Sequence, residues 1–128
     1  MSNDNSNADL DVWPEEIRLR EGGTKLYVKF ENGEEYEYTA EFLRVTSPSA
    51  EVQGHHPSQR KTVPGKKNVK IEKIEPTGNY AVKLVFDDGH DTGLFTWDYF
   101  LEVGRNMDTL WQDYLQRLER EGLSREPS

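Results

Sequence analysis

Histidine is the side chain whose ordinary pKa lets it serve as acid, base or metal ligand near neutral pH, and this chain has 3 of them. Two are adjacent, His55 and His56. The third, His90, stands in "FDDGHDTG", where Asp88-Gly89 joins two apolar runs. Three roles are open to His90: metal ligand, catalytic base, or part of a turn. An Asp-Gly pair between apolar runs is a strong hairpin signal, so on residue type the turn leads. Base catalysis needs a nucleophile and an orienting acid. Asp87, Asp88 and Asp91 are close in sequence, but nothing marks any serine as a nucleophile. A metal site could draw on His55, His56 and His90, although adjacent histidines seldom both reach one ion. No His-x-Asp pair opens the two-histidine, one-carboxylate iron triad.

The second chemical feature is charge. Residues 54–70, "GHHPSQRKTVPGKKNVK", carry Arg60, Lys61, Lys66, Lys67 and Lys70 and no acid, which leaves the remainder at −13 within a total of −8. Such a run could hold an anion or an acidic partner, or it could be a solvated face. An acidic body disfavours nucleic acid, whose phosphates need a net attractive surface. No glycine-rich phosphate loop of the G-x-x-x-x-G-K-[ST] kind is present.

Composition narrows the remaining chemistry. There is no cysteine, so disulfides, thiolate zinc sites, iron–sulfur ligation and a thiol nucleophile are excluded. Apolar residues make up 34% of 128 residues, enough for one domain with a modest core built largely on its aromatics. No apolar run nears the roughly 20 residues that span a bilayer. The opening "MSNDNSNADLD" lacks the basic and apolar regions of a signal peptide. A soluble, cytoplasmic protein is expected.

The elements that must position these residues follow from periodicity. "EIRLREGGTKLYVKF" alternates around Gly22-Gly23, and Asn32-Gly33 turns the chain into "EEYEYTA", giving three consecutive antiparallel strands. "AEFLRV" (40–45) suits one or two helical turns. Residues 46–68 read as a long loop, the kind that is usually functional or mobile. "VKIEKIEP" (69–76) and "YAVKLVF" (80–86) are strands, and "DTGLFT" supplies a short last one. Thr96 can N-cap a helix over "WDYFLEV", with Gly104 as its C-cap. Met107, Leu110, Trp111, Tyr114, Leu115 and Leu118 fall at i, i+3, i+4, i+7, i+8 and i+11 of an amphipathic helix. The order of elements predicts an α+β domain of antiparallel strands with a C-terminal helical segment packed on the sheet. Residues 1–12 and 123–128 read as disordered tails.

Three stretches carry a family resemblance: "WPEEIRLREGGTKLYVKFENGEEYEYTAEFLRV", "LRVTSPSAEVQGHHP" (43–57) and "VKIEKIEPTGNYAVKLVFDDGHDTGLFTWDYFLEV" (69–103). Together the chain resembles the DUF971 family, the gamma-butyrobetaine hydroxylase-like N-terminal domain, over about residues 13–122, as a stand-alone bacterial member. In the hydroxylases the resemblance implies a zinc module whose ligands are a Cys-Pro-Cys-x-x-Cys run and the histidine of an Asp-Gly-His turn. Those positions fall here at Ser47, Ser49, Val52 and His90. Two hydroxyls and a valine cannot replace three thiolates, so the zinc is expected to be lost and no cofactor is expected. Hydrogen bonds from Ser47 or Ser49 to His90 or to backbone would then hold the loop. A site rebuilt from His55, His56 and His90 is the alternative, and with it a metal-binding protein.

The oxygenase domain and iron ligands of those hydroxylases have no counterpart, so the resemblance implies no enzyme. The same domain also accompanies P-loop ATPases that carry iron–sulfur clusters. A part that recurs beside different catalytic domains reads as an accessory or interaction module. Its expected partner is a protein, an iron–sulfur carrier ATPase or an oxygenase, with no nucleic acid and no membrane. A small anionic-ligand-binding protein or enzyme is the further alternative. The expected docking residues are Arg60, Lys61, Lys66 and Lys67, placed near His90 for an acidic partner.

Overall fold

The structure, a computed structural model, describes residues 12–127. Of the expected N-terminal tail, residues 1–11 lie outside the described residues and Val12 is buried. Pro14–Arg20 (β1), Lys25–Phe30 (β2) and Glu35–Thr39 (β3) form one antiparallel sheet in the order β1-β2-β3. Alternation in the sequence sets its inner face: Leu26, Val28, Phe30 and Tyr38 are fully buried, and Ile17 and Leu19 oppose Val28 and Leu26 across β1. Ile71–Thr77 (β4), Ala81–Phe86 (β5) and Leu94–Thr96 (β6) form a second antiparallel sheet with β5 in the centre. The central strand buries Ala81, Val82, Leu84 and Phe86.

The two sheets share one core, completed by Phe95, Phe100, Leu101 and Val103. Gly23 brings them together. Its φ of +92° suits glycine, and a Cβ there would stand 2.4 Å from the Ile71 carbonyl oxygen, so only hydrogen allows the first hairpin to rest on the start of β4.

Among the described residues there are four α-helices, two after β3 and two after β6. Ala40–Val45 (α1) is capped by Thr39, whose hydroxyl accepts from the Phe42 N–H. Ala50–Gln53 (α2) is a short helix within the expected loop 46–68, capped by Ser49. Trp97–Arg105 (α3) is N-capped by Thr96 as expected, but it does not end at Gly104; Asn106 is its C-cap. Gly104 is there for space: a Cβ would lie 2.7 Å from the Tyr36 ring. Met107–Arg120 (α4) packs Met107, Leu110 and Trp111 on the main core. Lower down, Tyr114 and Leu118 join Val45 in a second cluster, flanked by Val63 and Leu115. The α+β class expected from sequence is the class observed. Among the described residues no helix is long and apolar enough to cross a membrane.

Of the expected C-terminal tail, residue 128 lies outside the described residues. Residues 123–127 run beside the 62–67 segment, where the N–H groups of Gly65 and Lys67 donate to the Ser124 and Arg125 carbonyls at 2.9 and 3.1 Å. Their polar composition suggested disorder, but their backbone finds partners in a loop and Arg125 finds one on α1.

Candidate functional site: a buried serine–histidine pair and its glutamate

The turn after β5 forms as the Asp-Gly pair predicts. Gly89 takes a φ of +90°, the Phe86 N–H donates to the His90 carbonyl at 3.0 Å, and Asp88 Oδ1 accepts from the His90 N–H at 3.0 Å. Asp88 also receives Arg44 Nε at 2.8 Å and Lys66 Nζ at 2.6 Å on its other oxygen. Burial works against its charge, but these donors outweigh it and hold the carboxyl at about 2. Arg44 Nη1 is buried without a hydrogen-bond partner.

This turn aims His90 inward, where it is 7% exposed. Its Nε2 lies 2.9 Å from Ser47 Oγ and its Nδ1 lies 3.0 Å from Glu51 Oε1. Burial, then the Arg44 charge, push the imidazole below its usual range despite the pull of Glu51 and Asp88. The neutral ring satisfies both contacts in one way. A carboxylate can only accept, so Nδ1 carries the proton toward Glu51, and Nε2 accepts the Ser47 hydroxyl. The Thr92 hydroxyl donates to the same Glu51 oxygen at 3.1 Å.

A hydroxyl, an imidazole and a carboxylate in line have the order of a nucleophilic triad, but here the hydroxyl and the ring are closed off while the Glu51 side chain stays 64% exposed. Ser47 is 0% exposed. Its Oγ accepts the Ser49 N–H at 3.3 Å, and a Cβ on Gly93 would stand 2.3 Å from it. No space remains for an acyl group at the hydroxyl. The line is a clasp between the 47–53 segment and the Asp-Gly-His turn, reinforced by Gln53 Nε2 donating to the Ser47 carbonyl at 2.8 Å and by the Tyr99 hydroxyl donating to the Thr46 carbonyl.

Ser47, Ser49, Val52 and His90 are all buried, at 0%, 6%, 2% and 7% exposure. The first two and His90 are joined by the bonds just described, the kind of link that the sequence led us to expect. They do not fit zinc. Neutral hydroxyls and an isopropyl group supply no thiolate, and an ion bound to Nε2 at about 2.0–2.1 Å would stand in the path of the Ser47 hydrogen bond. His55 and His56 are exposed on the loop, and both nitrogens of His90 are engaged elsewhere. The histidine set is not brought together, and among the described residues no group of three His, Cys, Asp or Glu side chains could hold a metal ion.

The basic residues separate. Lys66 reaches the turn through Asp88. Arg60 turns instead to Asp113 on α4 at 3.5 Å, and Lys67 to Glu126 at 3.0 Å. Lys61 is exposed, with its N–H on the Val52 carbonyl at 2.7 Å. Of the four, Lys66 is the one with an ion pair to the Asp-Gly-His turn among the described residues. Arg60 lines a cleft of about 360 Å³ with Thr46, Tyr99, Asp113 and Arg117. There Asp113 Oδ2 already receives both arginines and Glu102 lines the cleft as a second carboxylate, so its two cations face two anions and it carries no net charge for a small anion. Sequence reasoning missed Glu51 as the third member of the line. Its place at the second position of a four-residue helix is what aims it, and no periodicity marks so short an element.

Fold and site together define a small α+β domain whose most reactive groups are spent on holding a loop to a hairpin turn. A family model described as gamma-butyrobetaine hydroxylase-like, N-terminal, matches residues 17–101, and the chain belongs to that family. Among solved structures, two NMR solution structures are similar at 49% and 47% identity, each with a TM-score of 0.77. They cover 91% and 90% of this chain, and 91% and 86% of their own chains are covered in turn. A crystal structure from Acidithiobacillus ferrooxidans ATCC 23270, of a protein with unknown function in the DUF971 family, is 36% identical with a TM-score of 0.59 over 71% of this chain and 91% of that one. Comparison with curated proteins gave no match.

Proposed function

We propose that this domain is a non-catalytic accessory module that acts by binding a protein partner. The observation that supports this reading is the sealed clasp: the one hydroxyl–imidazole–carboxylate line described above has Ser47 at 0% exposure, so its chemistry is directed at the fold. On this reading the clasp replaces the zinc of related domains and no cofactor is required. An iron–sulfur carrier ATPase or an oxygenase in the cytoplasm is the partner that family resemblance favours.

Magnitudes indicate which loop cations could take part in docking. Arg60 and Lys67 have side chains 38% and 45% exposed, paired to carboxylates of 41% and 65% exposure. Exposed pairs of this kind contribute about 0–1 kcal/mol, so a partner's carboxylates can replace them. Lys61 is available without exchange. Lys66, 22% exposed on a carboxylate of 18% exposure, belongs to the turn. The acidic partner therefore docks through Arg60, Lys61 and Lys67, with Lys66 as support.

The experiment reverses Arg60, Lys61 and Lys67 to Glu in one variant and compares proteins retained from native lysate at low salt. Loss of specific partners from the variant, and from the wild type as salt rises, is expected because exposed charges are screened beyond roughly 8–10 Å. Identical partners in identical amounts would exclude this surface. Metal analysis after gel filtration is the control: a stoichiometric ion would favour the metal-binding reading instead.

A further inference from the structure

A second surface has the features of a receptor site with its own stand-in ligand. Between α1 and α4 lies a pocket of about 250 Å³ lined by Glu41, Phe42, Met107, Trp111 and Arg125, among others. Glu41, in the first turn of α1, is buried with its side chain 6% exposed. Its two oxygens receive Arg125 Nε at 2.7 Å and Nη2 at 2.8 Å. The guanidinium carbon also stands 5.3 Å from the centre of the Trp111 ring. A buried carboxylate facing a planar fork, with an indole beside it, is chemistry that selects arginine over lysine.

The segment delivering Arg125 is lightly held. Residues 121–127 are exposed apart from Arg125, which is half-buried, and they leave α4 through Gly122 at a φ of +67°. Beyond Arg125, the segment 124–126 rests on the two N–H groups of Gly65 and Lys67 and on the Lys67–Glu126 pair. Segments with few buried contacts open locally at lower free energy than the core. The receiving side, by contrast, belongs to packed helices.

We propose that the Glu41–Trp111 pocket is an arginine-recognition site that Arg125 occupies as a placeholder, and that an extended partner segment carrying Arg-Glu displaces it. The partner's arginine takes Glu41 and the Trp111 face. Its following glutamate takes Lys67, and its main-chain carbonyls take the Gly65 and Lys67 N–H groups. Opening of residues 123–127 and partner docking are then the same event. The inference goes beyond the docking reading above: the two share Lys67, but the contact that defines this one, arginine on Glu41 and Trp111, lies outside the basic loop.

The test uses the full chain carrying Arg125→Ala and Glu126→Ala, with a seven-residue peptide of the sequence of residues 121–127 as probe. Backbone and indole NMR signals are followed during titration. Saturable shifts at Trp111, Gly65 and Lys67 are expected, with binding at least tenfold weaker to the intact protein, where Arg125 competes. Arginine-to-alanine replacement in the peptide, or Glu41→Gln in the protein, is expected to abolish the shifts. In the unmodified protein, excess peptide should move the amide signals of residues 124–126 toward those of a released segment, a reading that holds even if the double variant folds poorly. Failure of the peptide to bind in either form, or equal binding of the alanine peptide, overturns the proposal. So does concentration-dependent dimerisation of the intact protein through exchange of this segment, which would make a second copy the occupant.

Discussion

His90 gathers a hydroxyl, a carboxylate, a turn carboxylate and a nearby guanidinium around one ring, and its proton is the quantity that responds to solution conditions. Burial, then Arg44, hold its pKa below the ordinary 6.5. The unfolded chain therefore takes up this proton first as pH falls. The stability contributed by the neutral ring is fully present above the unfolded value and is lost as pH drops through it. The loss is at most about 1.4 kcal/mol for each pH unit over which only the unfolded form is protonated. Asp88 adds a separate loss at lower pH, because its stabilisation is present above its ordinary 3.8 and disappears toward about 2. Urea unfolding of the wild type from about pH 8 to about pH 5.5 should show declining stability below about 6.5. His90→Gln should be less stable at pH 8 and flatter across the same range. Equal slopes for the two proteins would show that another group carries the dependence.

Helix α4 shows how one amphipathic face divides between two clusters, and its positions should differ measurably. Leu118 is 5% exposed within the Val45–Tyr114 cluster, while Leu115 is only half-buried at its side. Truncating a buried leucine to alanine costs about 2–5 kcal/mol. Leu118→Ala is expected in that range and Leu115→Ala below it, both read from urea midpoints; the reverse order would mean that the helix presents a different face. Elements of this kind were legible in sequence because periods of 2 and 3.6 are written into the residues that a core selects. Leu26, Val28 and Phe30 announced a strand, and Met107 to Leu118 announced a helix. What was not legible depends on neighbours far along the chain. Gly104 looked like a helix end because glycine favours one, yet Tyr36 across the core is the reason for it. Residues 123–127 looked unstructured because Arg125 has its partner 84 positions earlier. Ser47 and His90 could be expected to meet, but Glu51 could not, since a single short turn of helix decides where its carboxylate points.

Each three-stranded sheet is a local meander, an arrangement that on connectivity alone could unfold by itself. Their cores argue otherwise. Leu26, Val28, Phe30 and Tyr38 from one sheet share a cluster with Ile71, Leu84, Phe86 and Phe95 from the other. Phe100 joins them, 5.6 Å from the Tyr38 ring and 5.5 Å from the Phe95 ring between centroids. Neither sheet keeps an apolar face covered without its neighbour, and a three-stranded sheet with an uncovered face is marginal in water. Unfolding should therefore be one cooperative transition, as in most single domains under 150 residues. Far-ultraviolet circular dichroism reports the strands, and tryptophan fluorescence reports Trp13, Trp97 and Trp111 at separate places in the fold. Their urea curves should superimpose. Gly23→Ala probes the junction directly, because the new Cβ would meet the Ile71 carbonyl oxygen at 2.4 Å and the residue sits at a φ of +92°. Strained backbone of this sort costs on the order of 1–3 kcal/mol before the clash is added. The expected result is a lower midpoint with the two probes still coincident, since the sheets lose stability together. Two separated transitions in the variant would show instead that each sheet holds a fold of its own and that the shared core is not what joins them.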